Sequence, residues 1–108
     1  MTVEALSATE FFSPVVIAEP DREVEGVYIG DLLSWVMGRA SSGDAWITIM
    51  SNVNILAVAS LADTSCIIIA EGVALEQEVI ETAKQKNINI ISSPVGIYDT
   101  AVMLSQLL

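Results

Sequence analysis

Four short bursts of β-branched and aromatic residues punctuate the chain, and their rhythm restricts the fold more than any other feature. They are Gly26-Val27-Tyr28-Ile29, Ala45-Trp46-Ile47-Thr48-Ile49-Met50, Cys66-Ile67-Ile68-Ile69-Ala70 and Ile88-Asn89-Ile90-Ile91. Their centres recur roughly every twenty residues, about what one strand, one short helix and two tight loops consume. Continuous Ile/Val runs suit strands covered on both faces, as in a parallel sheet with helices packed over it.

The intervening segments have helical period. Asp31 is a fitting N-cap for a helix whose inner face is Leu32, Leu33, Val36, Met37 and Ala40, ended by Ser41-Ser42-Gly43-Asp44. Ile55 to Leu61 is small and apolar, and so suited to burial. Leu75 to Lys86 is the clearest helix: Leu75, Val79, Ile80 and Ala83 make its stripe, with acids at its start and Lys84 and Lys86 at its end, complementing the dipole. A last helix from Val95 to Leu107 follows Ser93-Pro94, with Ser93 the expected cap. Before the rhythm begins, Val3 to Glu10 reads as a short helix and Val15-Val16-Ile17 as a strand, with Pro14 between them. The expectation is one domain, 1–108, because a folding unit usually needs about 100–150 residues. It is an α/β fold, a three-layer sandwich with a mostly parallel sheet, whose strand order the rhythm does not reveal.

Charge and residue usage exclude whole classes of function. Fourteen acids against four bases leave a net charge of −10, which argues against nucleic acid and against an electrostatic grip on anionic membranes. No apolar run approaches the roughly 18–20 residues of a membrane span, and the opening Met1-Thr2-Val3-Glu4 has no secretory pattern, so the cytoplasm is the expected compartment. The chain has no histidine and one cysteine, so Ser-His-Asp, Cys-His and His-metal arrangements are excluded. Cys66 opens the most apolar burst and is expected to be an inert core residue. Neither Gly-x-x-x-x-Gly-Lys-Ser/Thr nor Gly-x-Gly-x-x-Gly occurs. No catalytic residue, cofactor or metal is expected.

If the bursts are parallel strands, their carboxyl ends share one edge, where ligands of open α/β sheets usually sit. That edge would gather Asp31, Thr48, Asn52, Asn54, Glu71, Gly72 and Ser93. Two readings stay open: these residues are only helix caps and turns, or they line a ligand pocket. No base lies among them, so Asp31 and Glu71 would favour a cationic or hydroxyl-rich ligand, or, in a third reading, form the acid pair of a small enzyme. Trp35 lies off its helix stripe, and Val102, Met103 and Leu107 widen the apolar face of the last helix. That surplus is either a broad core face or a subunit interface, and a homodimer is expected.

The run from Asp21 to Ser34, the segment Gly43-Asp44-Ala45-Trp46-Ile47-Thr48-Ile49 and the stretch Asn54 to Ala59 recur in order and spacing with Ile67-Ile68-Ile69, Ala83-Lys84-Gln85-Lys86 and Ile90-Ile91-Ser92-Ser93-Pro94. Together they resemble the DRTGG domain family, in particular its stand-alone members, over about Val3 to Leu107. The resemblance implies the fold of the amino-terminal domain of HPr kinase/phosphorylase without the kinase phosphate loop. It also implies a regulatory role: sensing a small molecule, docking on a metabolic enzyme, or contributing oligomer contacts. The namesake residues should fall near Ser51-Asn52 and at Ala70-Glu71-Gly72. There the arginine is missing and Thr-Gly-Gly has become Ala-Glu-Gly, which makes an anionic ligand less suited to this chain.

Overall fold

The computed structural model describes residues 1–108. Its five strands are β1 (Ser13–Val16), β2 (Gly26–Ile29), β3 (Asp44–Thr48), β4 (Cys66–Ile69) and β5 (Ile90–Ser92). Its helices are α1 (Val3–Ser7), α2 (Leu33–Arg39), α3 (Asn54–Ala62), α4 (Gln77–Gln85) and α5 (Ile97–Leu107). The strands form one sheet in the order β1-β5-β4-β3-β2. The pairs β2–β3, β3–β4 and β4–β5 are parallel, and β1 joins β5 antiparallel. No helix is long and apolar enough to cross a membrane.

Every residue of β3 and β4 is buried, because each strand turns alternate side chains into two separate cores. Trp46, Ile67, Ile69 and Ile90 pack with Val36 of α2, Ile55 and Leu56 of α3 and Val79 of α4. Ala45, Ile47, Cys66, Ile68 and Ile91 pack with Val3 and Leu6 of α1 and Leu104 of α5. The result is three layers: α2, α3 and α4 on one face of the sheet, α1 and α5 on the other. Three successive crossovers, each moving to the next strand in the same direction, place their helices on one side. Burial pushes the Cys66 thiol up to about 12, so it stays protonated and inert.

Some local expectations change once the chain is folded. Pro14 lies inside β1 rather than between elements, which the sheet tolerates because β1 is an edge strand. The helix expected over Leu75–Lys86 begins at Gln77, and the last helix begins at Ile97 with Gly96 at its N-cap. Met103 and Leu107 pack against the α1/α5 core, so that part of the apolar surplus is core face. Trp35 is exposed, with the Arg39 guanidinium 3.6 Å over its ring.

Loops at the rim where the parallel strands begin converge on Asp63, the αL residue that ends α3. Its carbonyl accepts from Gly43 N–H at 2.9 Å and from Arg22 Nη2 at 2.8 Å. Its carboxylate accepts from the Ser42 hydroxyl and pairs with Arg22 at 3.0 Å. The Ser42 hydroxyl first, then Arg22, hold this carboxyl below the usual aspartate value. Since Asp63 titrates lower in the folded chain than in the unfolded one, its contribution is complete above about pH 4 and is lost as acid protonates it below that. In an acid titration followed by NMR, Ser42→Ala should bring Asp63 back towards its ordinary value; an unmoved titration would mean that Arg22 alone sets it.

Candidate functional site

The carboxyl ends of β2, β3, β4 and β5 share one rim, because these four strands are parallel neighbours. The rim divides between β4 and β5, since α4 leaves towards one face and α5 towards the other. A crevice at such a division is the usual ligand position of open α/β sheets. Here two backbone bonds close it: Glu71 N–H donates to Val95 O at 2.8 Å and Gly72 N–H to Ser93 O at 2.9 Å.

The seven rim residues therefore separate into four groups. Asp31 does not cap α2, whose N-cap is Leu32 with no side-chain bond. Its Oδ1 instead accepts from Thr48 Oγ1 at 2.7 Å and from Ile49 N–H at 3.0 Å, and Thr48 Oγ1 accepts from Met50 N–H at 3.1 Å. These bonds hold the exit of β3 to the exit of β2. Asn52 Oδ1 accepts from Asn54 N–H at 2.9 Å, fixing the entry to α3. Glu71 and Gly72 form the tip of the turn after β4, and Ser93 is buried on the far side. Ser93 Oγ lies 2.7 Å from Thr100 Oγ1 in the α5 layer, so it serves packing there rather than capping the helix. Asp31 Oδ1 is taken up by Thr48 and Ile49 at the end of β3, whereas the Glu71 carboxylate lies beside Gly96 at the start of α5, so the two are not brought together as an acid pair.

The open hollow on this rim lies between the β3–α3 loop and the start of α4. It measures about 480 Å3 and is lined by Ile49, Met50, Ser51, Asn52, Val53, Ala74, Glu76, Glu78 and Val79. Of the seven expected residues only Asn52 lines it. Glu76 and Glu78 were legible only as acids at a helix start, and nothing local showed that the β3–α3 loop would face them. The hollow contains two carboxylates and no base, so its field favours a cationic or uncharged polar guest on an apolar floor. No cluster of three or more carboxylate and thiol groups that could hold a metal is present.

Glu71 has φ +63° and Gly72 φ +63°, with Val73 N–H returning to Ala70 O at 3.3 Å. Glycine adopts this left-handed region freely, whereas a side-chain-bearing residue is strained there by roughly 1–2 kcal/mol. Glu71→Gly should therefore match or exceed the wild type in urea denaturation. Glu71→Val should fall about 1–2 kcal/mol below it, and equal midpoints for the two variants would show that the turn carries no strain.

Comparison with known proteins agrees with this architecture. No curated protein matches the sequence. Among solved structures, the chain is similar to the CBS and DRTGG domains of the regulatory region of Clostridium perfringens pyrophosphatase, a structure complexed with its activator, diadenosine tetraphosphate. Sequence identity is 22%, the TM-score is 0.76, and the match covers 99% of this chain and 47% of the other. The chain thus spans about half of that regulatory region and shares its fold. The DRTGG domain model matches residues 13–107, from β1 to the end of α5, and the chain belongs to the DRTGG domain family.

Proposed function

We propose that this chain is a non-catalytic, cytoplasmic regulatory domain that senses a small molecule at the carboxyl rim of its sheet and acts as a homodimer on a metabolic enzyme. The observation that carries the sensing role is the hollow of about 480 Å3 between the β3–α3 loop and α4, in a chain of a family with regulatory members. On this reading Asn52 contacts the ligand, while Asp31, Thr48 and Asn54 hold the loop that presents it. Glu71 and Gly72 shape the neighbouring loop, and Ser93 anchors α5 beneath it. The fold is then also that of the amino-terminal domain of HPr kinase/phosphorylase, without its kinase chemistry.

The ligand class differs from that of the pyrophosphatase region. A tetraphosphate brought to Glu76 and Glu78 would meet like charge and no compensating base, so a polyamine or a polyol suits the hollow better. Thermal melting against spermidine, glycerol and diadenosine tetraphosphate tests this. A ligand at a hundredfold its Kd stabilises by about 2.7 kcal/mol, a rise of roughly 10–20 °C for a domain of this size. Spermidine or glycerol should give that rise, Asn52→Ala with Glu78→Gln should abolish it, and the tetraphosphate should give none. A rise that survives the double substitution would place binding elsewhere.

The homodimer is supported by the asymmetry of the sheet's two edges. β1 is blunted by Pro14 and by a register irregularity between Pro14 and Val16. β2 pairs only with β3, bears no charged residue, and leaves Val27 38% and Ile29 46% exposed. Pairing two β2 edges about a twofold axis consumes both open edges and closes at two copies. Sedimentation over a range of concentrations should show a dimer that Ile29→Lys converts to monomer. A wild-type chain that is monomeric throughout would instead reserve this edge for another protein, the behaviour of a pure interaction module.

A further inference from the structure

A second hollow lies at the opposite rim, where the parallel strands begin and α3 and α4 end. It measures about 240 Å3 and its walls are mostly polar, with Glu19, Arg22, Asp63, Ser65, Lys86 and Asn89 among them. Half of the chain's four bases thus face one small site on a molecule of net charge −10. Arg22 is engaged by Asp63, whereas Lys86 and Glu19 take part in none of the ion pairs. Two polar side chains are buried at the site. Asn89, 3% exposed, is fixed by the Glu19 backbone and the Ser65 carbonyl. Ser65 is 2% exposed, and its hydroxyl has only the Cys66 sulfur, 4.0 Å away. Sulfur is a weak acceptor, so this hydroxyl keeps nearly all its capacity for a better partner.

The charges select the class of guest. A simple anion would be opposed by Glu19, by Asp63 and by the negative ends of α3 and α4. A simple cation would be opposed by Arg22 and Lys86. A molecule with both charges meets both sets favourably. At about 240 Å3 the hollow has room for a guest the size of a free amino acid. We propose that this amino-rim hollow binds a small zwitterion of the amino acid class, its carboxylate on Lys86, its ammonium on Glu19, and Ser65 supplying a further hydrogen bond. The proposal is independent of any ligand at the carboxyl rim.

The test is thermal melting of the full chain with millimolar glycine, serine or glutamine, beside acetate and methylamine, which each carry one of the two charges. At least one amino acid should raise Tm, and neither single-charge compound should. Lys86→Gln and Glu19→Gln should each weaken the response about tenfold, the effect of one charge-assisted hydrogen bond. In NMR spectra the amides of Ser65 and Asn89 should shift while that of Asn52 stays in place. The proposal is overturned if no amino acid raises Tm, if acetate or methylamine does so equally, if both variants respond as the wild type does, or if the shifts gather at Asn52.

Discussion

The double-sided burial of β3 and β4 is the constraint on which the rest of the molecule depends. At roughly 1.5–3 kcal/mol for each large aliphatic side chain removed from water, the fully buried Ile47, Ile67, Ile68 and Ile69 make a concentrated hydrophobic contribution. It is realised only if both sheet faces are covered. That requirement recruits α1 and α5, the two helices outside the crossover series, onto the second face. The fully buried Trp46 adds a directional element: its indole N–H donates to Gly30 O at 2.8 Å, tying the end of β2 to the core.

A sheet ordered this way has two rims, and the structure builds them differently. Along the carboxyl rim, hydrogen bonds between loops fill the division between β4 and β5, so the open space moves to the β3–α3 loop and the acidic start of α4. Along the amino rim, helix ends, two bases and the buried polar pair Ser65 and Asn89 enclose a smaller, more polar hollow. The two sites differ in electrostatic character because helix dipoles present opposite ends to the two rims and because the few bases are clustered at one of them. On a chain this acidic, the position of each Lys or Arg weighs more in the local field than net charge does.

Much of the fold was legible because its signals are local. The bursts centred on Tyr28, Ile47, Ile68 and Ile90 became β2 to β5, and the stripe of Val79 and Ala83 became the buried face of α4. Side chains with distant partners carry no such local signal. Asp31 looks like a cap, yet its acceptor oxygen goes to Thr48, seventeen positions away. Ser93 also looks like a cap, but its hydroxyl turns inward to Thr100. In both cases a short polar side chain had a local option and a tertiary one, and burial of the surrounding strands made the tertiary bond more valuable.

What the chain's composition and periodicity determined was the number and kind of its central elements, the three-layer arrangement and the exclusion of His-based chemistry, since these depend on residue types and on spacings of two to four positions. The order of the strands, the closing of the crevice between β4 and β5, and the gathering of Glu19, Lys86 and Ser65 around one hollow were decided only by tertiary structure. Each of these joins residues far apart in the chain: Asn89 holds the Glu19 backbone across seventy positions. No short-range pattern carries that information, because such contacts exist only once the sheet has brought its strands together.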